Sequence, residues 1–176
     1  MTDLDPARTA LVLIDLMDRI VDMPLAPRSG KDVLETACRL AEEFRAAGAP
    51  VVAVRVERPG VAEQPPGSRL AERVAALADA VVVKRAVGGF HGTSLDDVLR
   101  GYGADTLVFA GIATNMGVES TARSASDLGF ELVFVEDAMT AFTTAEHDAA
   151  IALNLPRFGE VVHSAGVRVD AGAARA

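Results

Sequence analysis

Six short apolar runs punctuate the chain. Ala10–Ile14 (ALVLI) ends in Asp15, Val51–Val54 (VVAV) ends near Arg55, and Val81–Val83 (VVV) ends in Lys84. Thr106–Ala110 (TLVFA) ends in Gly111, Leu132–Val135 (LVFV) ends in Glu136 and Asp137, and Val161 with Val162 makes a short sixth run. Each is nearly continuous rather than alternating, which is the pattern of parallel strands buried on both faces. Between them the apolar period lengthens to that of helices. Asp32–Ala47 places Val33, Ala37, Leu40, Ala41 and Phe44 on one face, with Gly48 as a stop signal and Pro50 just beyond. Ser94–Arg100, Thr114–Leu128 (ended by Gly129) and Thr144–Leu153 (before Pro156) are the other helical stretches. Strand–helix alternation of this kind predicts an α/β fold with a doubly wound, six-stranded parallel sheet in three α/β/α layers. The segment Glu57–Gly67, with three prolines and two glycines, is expected to be a surface loop, or else a lid over a pocket. Asp170–Ala176 is expected to fray.

Composition narrows the function classes. The 176 residues suit one domain with one core, and half of them are hydrophobic. Seventeen basic residues against 25 acidic ones give a net charge of -8, with no clustered Lys/Arg stripe. Such a chain repels phosphate backbones, so no nucleic-acid partner is expected. The one cysteine, Cys38, allows neither an internal disulfide nor an all-cysteine metal site, and it sits on the core face of a predicted helix. The N-terminus is acidic where a signal peptide is basic, and no apolar run approaches the ~20 residues of a membrane span. A cytoplasmic protein without a membrane partner is the expectation.

Open α/β sheets bind ligands beyond the carboxyl ends of their strands. The residues to inspect are therefore Asp15, Lys84, Gly111 with the segment after it, and Asp137. A carboxylate closing a buried strand is partly desolvated, which raises its pKa unless a cation lies close. Lys84 closes another buried strand, and its long stem can carry the ammonium to Asp15. The pair has two readings: a tunable acid/base, or an ion pair that only ties strands together. The segment Gly111 to Ala122 (GIATNMGVESTA) leaves a strand and enters a helix. Thr114 or Asn115 can cap that helix, and its free N–H groups can stabilise negative charge on a ligand. Capping does not explain Gly117 inside the first turn, where glycine costs up to ~1 kcal/mol relative to alanine. Something is expected to approach the backbone closely there.

Three blocks carry a family resemblance: ALVLID around Asp15, VVVKRAVGGFHGTSLDDVLR around Lys84, and GIATNMGVESTARSASDLGF around Gly117. In order and spacing the chain resembles the isochorismatase-like hydrolases over residues 8–163. That resemblance implies their Rossmann-like fold, a single domain over 1–176, a small-molecule substrate, and a homodimer or higher homo-oligomer. It implies Asp15 as acid/base and Lys84 as its electrostatic partner. It also implies a cis peptide at Ile112–Ala113. The cysteine nucleophile of the family's amidohydrolases falls on Gly117, where no thioester can form. In this respect the chain is similar to true isochorismatases, which have glycine there. They protonate a vinyl ether with the family Asp and add water without a covalent intermediate. Gly89-Phe90-His91 also resembles their A-F-H, whereas Ala113-Thr114-Asn115 is kept from the cysteine branch.

The resemblance implies a pocket walled by Met17, Phe90, Ile112, Ala113 and Met116, with His91 and Thr114 near it. For Phe90 a core position is the alternative. Thr114, Ser120 and Thr121 are hydroxyls close in sequence, but an unactivated hydroxyl is a weak nucleophile. No metal and no other cofactor is expected. The region after the second apolar run, Arg55 to Pro59, lacks histidine, and His91, His147 and His163 lack ligand spacing. A solvated or capping role is expected for His147, and packing near the tail for His163. Three functions compete: a metal-free, non-covalent hydrolase, then a catalytically silent small-molecule binder on the same scaffold, and last an amidase with Ser120 or Thr114 as an alternative nucleophile.

Overall fold

The computed structural model describes residues 1–170. The elements run β1 (Thr2–Leu4), β2 (Thr9–Ile14), α1 (Asp18–Val21), α2 (Gly30–Ala47), β3 (Val51–Val56), α3 (Glu72–Leu77) and β4 (Ala80–Lys84). They continue as α4 (Leu95–Gly101), β5 (Thr106–Ile112), α5 (Glu119–Asp127), β6 (Glu131–Thr140), α6 (Thr144–Ala149), β7 (Glu160–Val162) and β8 (Val167–Val169). The main sheet is parallel, with order β4-β3-β2-β5-β6-β7. The strand order reverses between β2 and β5, which opens a crevice at their carboxyl ends.

The continuous apolar character of the strands has a direct cause. Alternate residues of β2 enter two different cores. Leu11 and Leu13 pack with Val33, Leu40 and Phe44 of α2 and Val74 of α3. Ala10, Val12 and Ile14 pack with Leu95 and Leu99 of α4 and Ala122 and Ala125 of α5. Both faces of the sheet are thus covered, as the doubly wound three-layer reading requires. Cys38 is fully buried in the first of these cores.

Several boundaries differ from the expectation. Helix α2 starts two residues early because Ser29 caps it: its hydroxyl accepts from the Asp32 amide at 3.2 Å, and the Asp32 carboxylate accepts from the Ser29 amide at 3.3 Å. The stretch after β5 begins with a wide π turn, Thr114–Val118, closed by the Val118 amide on the Ala113 carbonyl at 3.2 Å. Helix α6 likewise gives way to a π turn, Ala150–Asn154. Strand β6 runs on to Thr140, so Glu136 and Asp137 lie within it. Helices α1 and α3 and the small parallel sheet of β1 with β8 lay outside the expectation. The expected fraying concerns residues of which 171–176 lie outside the described ones.

The Pro-rich loop is tied down rather than free. The Arg19 amide donates to the Gly67 carbonyl at 3.0 Å, the Asp18 amide to the Arg69 carbonyl at 3.2 Å, and Met17 bridges to Leu70. Among the described residues, no helix is long and apolar enough to cross a membrane.

Candidate active site

Asp15 is the first residue past β2, at the reversal of the strand order. Its amide donates to the Val54 carbonyl at 2.8 Å and its carbonyl accepts from the Met17 amide at 2.8 Å. These bonds hold it at φ +54°, the only non-glycine residue of positive φ among those described. A left-handed conformation at a side chain other than Gly is held by its surroundings and is frequent at functional sites. It turns the carboxylate across the sheet end toward β4.

Lys84 ends β4, two strands away. Its Nζ lies 2.8 Å from Asp15 Oδ2 and donates to the Val87 carbonyl at 2.5 Å. Lys84 is 1% exposed and Asp15 6%. Among the described residues, buried Asp15 Oδ1 has no well-formed hydrogen-bond partner, and the Val56 backbone favours the carboxylate only weakly. Burial pushes the Asp15 carboxyl above the usual carboxylate range, and this outweighs the opposing pull of the Lys84 ammonium. An oxygen without a donor and a raised pKa belong together: the carboxylate charge is poorly solvated there.

Gly117 explains itself here. A Cβ built on it would stand 3.0 Å from Asp15 Oδ2, 3.1 Å from Lys84 Nζ and 3.1 Å from Ile14 Cγ2. The close approach expected from the sequence is therefore the Asp–Lys pair itself. The turn is held in place by Thr121. Its hydroxyl donates to the Gly117 carbonyl at 2.6 Å and accepts from the Gly89 amide at 2.9 Å. The residue preceding the turn enters through a cis Ile112–Ala113 peptide. At Gly111, φ is +132° and a Cβ would meet the Ile14 carbonyl oxygen at 2.1 Å, so only glycine lets β5 lie this close to β2.

Above the pair opens a cavity of about 470 Å³. Asp15, Lys84, Ile112, Ala113, Met116 and Gly117 are in its wall. Four other candidates are not. Met17 is fully buried in the α2-side core, because the backbone turn after Asp15 sends it under the sheet end. Phe90 packs on the opposite core, its ring 6.1 Å from that of Phe130. His91 is exposed, beside Arg85 and Gly92. Thr114 is fully buried behind the turn.

Thr114 caps nothing. Its hydroxyl meets His147 Nδ1 at 2.8 Å, while His147 Nε2 faces the Arg28 guanidinium at 3.4 Å. A guanidinium only donates, so Nε2 accepts and Nδ1 carries the proton toward Thr114. Arg28 is in turn paired with Glu136 at 2.8 Å. Burial and then Arg28 push the His147 pKa below the ordinary value. This corrects the solvated role expected for His147, which is 1% exposed. His163, expected to pack, is largely exposed beside Asp137 at 3.2 Å. Asp137 itself faces away from the cavity, accepting from the Ser164 amide and hydroxyl.

Sequence reasoning missed much of the cavity wall: Arg19 and Ile20 on α1, Met23, Arg58 and Pro59 after β3, and Phe142. The available signal was position, because each follows the carboxyl end of a strand. Among the described residues, no group of three or more His, Cys, Asp or Glu could hold a metal ion.

Residues 9–166 match the family model of the isochorismatase domain. Over 178 aligned residues the chain is 40% identical to the uncharacterized isochorismatase family protein YecD of Escherichia coli O157:H7, covering 92% of this chain and 95% of that one. It superposes on an isochorismatase family protein from Burkholderia thailandensis with a TM-score of 0.80 at 37% identity, over 93% and 95% of the two chains. With N-carbamoylsarcosine amidase from Thermoplasma acidophilum the TM-score is 0.74 at 28% identity, over 89% and 96%.

Proposed function

The chain belongs to the isochorismatase family, and from that premise we propose that it is a hydrolase that works without a cysteine nucleophile, through Asp15 as general acid and base. Its substrate is a small organic acid, ether or amide. The observation that carries this reading is the geometry at Gly117. The position a nucleophile's Cβ would occupy lies within about 3 Å of both Asp15 and Lys84. It belongs to the cavity wall, and no side chain fills it.

The chemistry that fits is vinyl-ether hydrolysis. Asp15, whose pKa burial raises, delivers its proton to the enol-ether carbon when it holds one. The oxocarbenium centre takes up water, and the Asp15 carboxylate accepts a proton from that water. The hemiketal collapses to a ketone and an alcohol. The Lys84 ammonium stabilises the carboxylate phase of the cycle, which limits how far the pKa can rise. Thr121 holds the turn that carries Gly117, and Thr114, at the start of that turn, is buried against His147. In this reading the chain acts as one domain over residues 1–176, and it assembles as a homodimer or higher homo-oligomer.

The test is incubation with isochorismate and a panel of other enol ethers, following pyruvate or ketone release, with intact-mass analysis during turnover. Product release without any mass adduct is expected. Equal inactivity of the wild type and Asp15→Asn across the panel would instead leave a silent binding protein.

A further inference from the structure

The cavity wall carries an excess of positive charge that the rest of the chain does not. Overall the protein is at -8. Yet the cavity is lined by four basic side chains, Arg19, Arg58, Lys84 and Arg85, against two acidic ones, Asp15 and Glu57. Two of the four are already matched: Lys84 by Asp15 at 2.8 Å, and Arg85 by Glu57 at 2.9 Å. Glu57 is further engaged by Arg55 at 2.7 Å, and this contact, ahead of Arg85, holds its carboxyl below the usual range. Arg19 and Arg58 are left: neither forms a close ion pair among the described residues, although the Arg19 charge also acts on the Asp15 carboxyl from a distance and lowers its pKa.

Both are pre-positioned. Arg19 Nε donates to Ser68 Oγ at 3.1 Å, and its amide is held by the Gly67 carbonyl at 3.0 Å, so the half-buried side chain is fixed between α1 and the Pro-rich loop. Arg58 is anchored through its backbone. Its amide donates to Gln64 Oε1 at 2.8 Å, and Gln64 Nε2 donates to its carbonyl at 3.0 Å. The same wall also carries apolar side chains, Ile20, Met23, Val87, Met116 and Phe142. Two planar guanidinium forks match the two oxygens of a carboxylate, and the anchored Arg19 fork, with the Arg58 backbone held beside it, lowers the entropy lost on binding.

We propose that Arg19 and Arg58 are the specificity-determining residues of this cavity and select a small molecule bearing a carboxylate on an apolar body. The ligand's charge sits at the α1 and loop flank, and its body lies along Met23, Met116 and Phe142. Its reacting bond then reaches the space above Gly117. This rests on reading the cavity as the reactive site, and it adds the class of molecule that enters.

The experiment compares benzoate with benzamide, which share shape and differ in charge, by calorimetric titration of the full chain. The wild type is expected to bind benzoate at least about tenfold tighter, the scale of a charge-assisted contact. Arg58→Met, an exposed substitution, should cut that preference severalfold, and Arg19→Met with Arg58→Met should abolish it. Arg73→Met, which makes the same change of net charge on a surface ion pair with Glu35, should leave the preference unchanged. Asp15→Asn removes a negative charge from the cavity wall and should strengthen the preference, so loss of hydrolysis and loss of anion selection are separable. Equal affinities, failure of millimolar benzoate to bind, or a preference that survives the double substitution would each overturn the assignment.

Discussion

Asp15 and Asp137 invite comparison. Both follow a buried apolar run, both are nearly inaccessible at 6% and 9%, and both lie near a basic group. Asp137 has its oxygens occupied: Oδ1 accepts from the Ser164 amide at 2.6 Å and Oδ2 from the Ser164 hydroxyl at 2.5 Å, with His163 3.2 Å away. Asp15 has one oxygen on Lys84 and one with no well-formed hydrogen bond among the described residues, and it opens on a cavity. The first carboxylate is used up in pinning the turn Ser164–Gly166 to β6. The second is left with capacity for a proton. Saturation makes a structural residue, and incomplete saturation next to open space makes a reactive one.

Breaking the two sites should therefore give different results in turnover. Asp15→Asn should reduce turnover of a suitable enol ether by about 100-fold or more, the scale of general acid catalysis. It should also lower the midpoint of thermal unfolding, because it leaves the enclosed Lys84 ammonium without its counter-charge. Asp137→Ala should cost about 2–3 kcal/mol in denaturant unfolding through lost charge-assisted bonds, with turnover per folded molecule preserved.

Lys84→Met sharpens the contrast. Lys84 is fully enclosed, and removing one partner of a buried pair costs about 3–5 kcal/mol when the other stays charged. Asp15 can escape that cost by staying protonated. The substitution should thus raise the Asp15 pKa further and make stability fall as pH rises, measured by unfolding between acid and neutral pH. The sign follows from linkage: a carboxyl whose folded pKa lies above its unfolded value favours folding at low pH and loses that contribution as pH rises through the folded pKa.

Gly117→Cys asks whether the pair can serve a nucleophile. The new Cβ would lie at 3.0–3.1 Å from Asp15, Lys84 and Ile14, a fit that costs about 1 kcal/mol of local adjustment. Its thiol, beside the Lys84 ammonium, should react with iodoacetamide faster than Cys38, whose thiol burial pushes up. Equal labelling of the two would show that the pair does not activate a sulfur there.

The smallest effect is expected at His147. Its folded pKa is depressed by burial, so the unfolded chain binds the extra proton more readily. Stability contributed by neutral His147 is present above the ordinary value of about 6.5 and is lost as pH falls below it. His147→Gln should flatten that part of the stability profile.

Much of this was legible in the sequence because it was periodic. The continuous runs gave the buried parallel strands, and their last residues gave Asp15, Lys84 and Gly111. A glycine inside a first helical turn signalled close approach, and the Asp15–Lys84 pair provides it. What escaped was set by contacts distant in the chain. Met17 and Phe90 stand beside site residues in sequence, but the turn after Asp15 and the packing on Phe130 send both into cores. Arg19 and Arg58 sit on a four-residue helix and a loop, which have no period to reveal a face. His147 looked solvated because nothing local shows that Thr114, 33 residues earlier, lies against its ring.

The most direct test of Asp15 acting as an acid without a covalent partner is a pH–rate comparison on the best enol ether of the panel. For the wild type, product release should decline as pH rises through the pKa of the Asp15 carboxyl, and Asp15→Asn should be about 100-fold slower below that pKa, with the gap narrowing above it. Equal rates for the two proteins below that pKa, or a wild-type rate that climbs with pH, would contradict it.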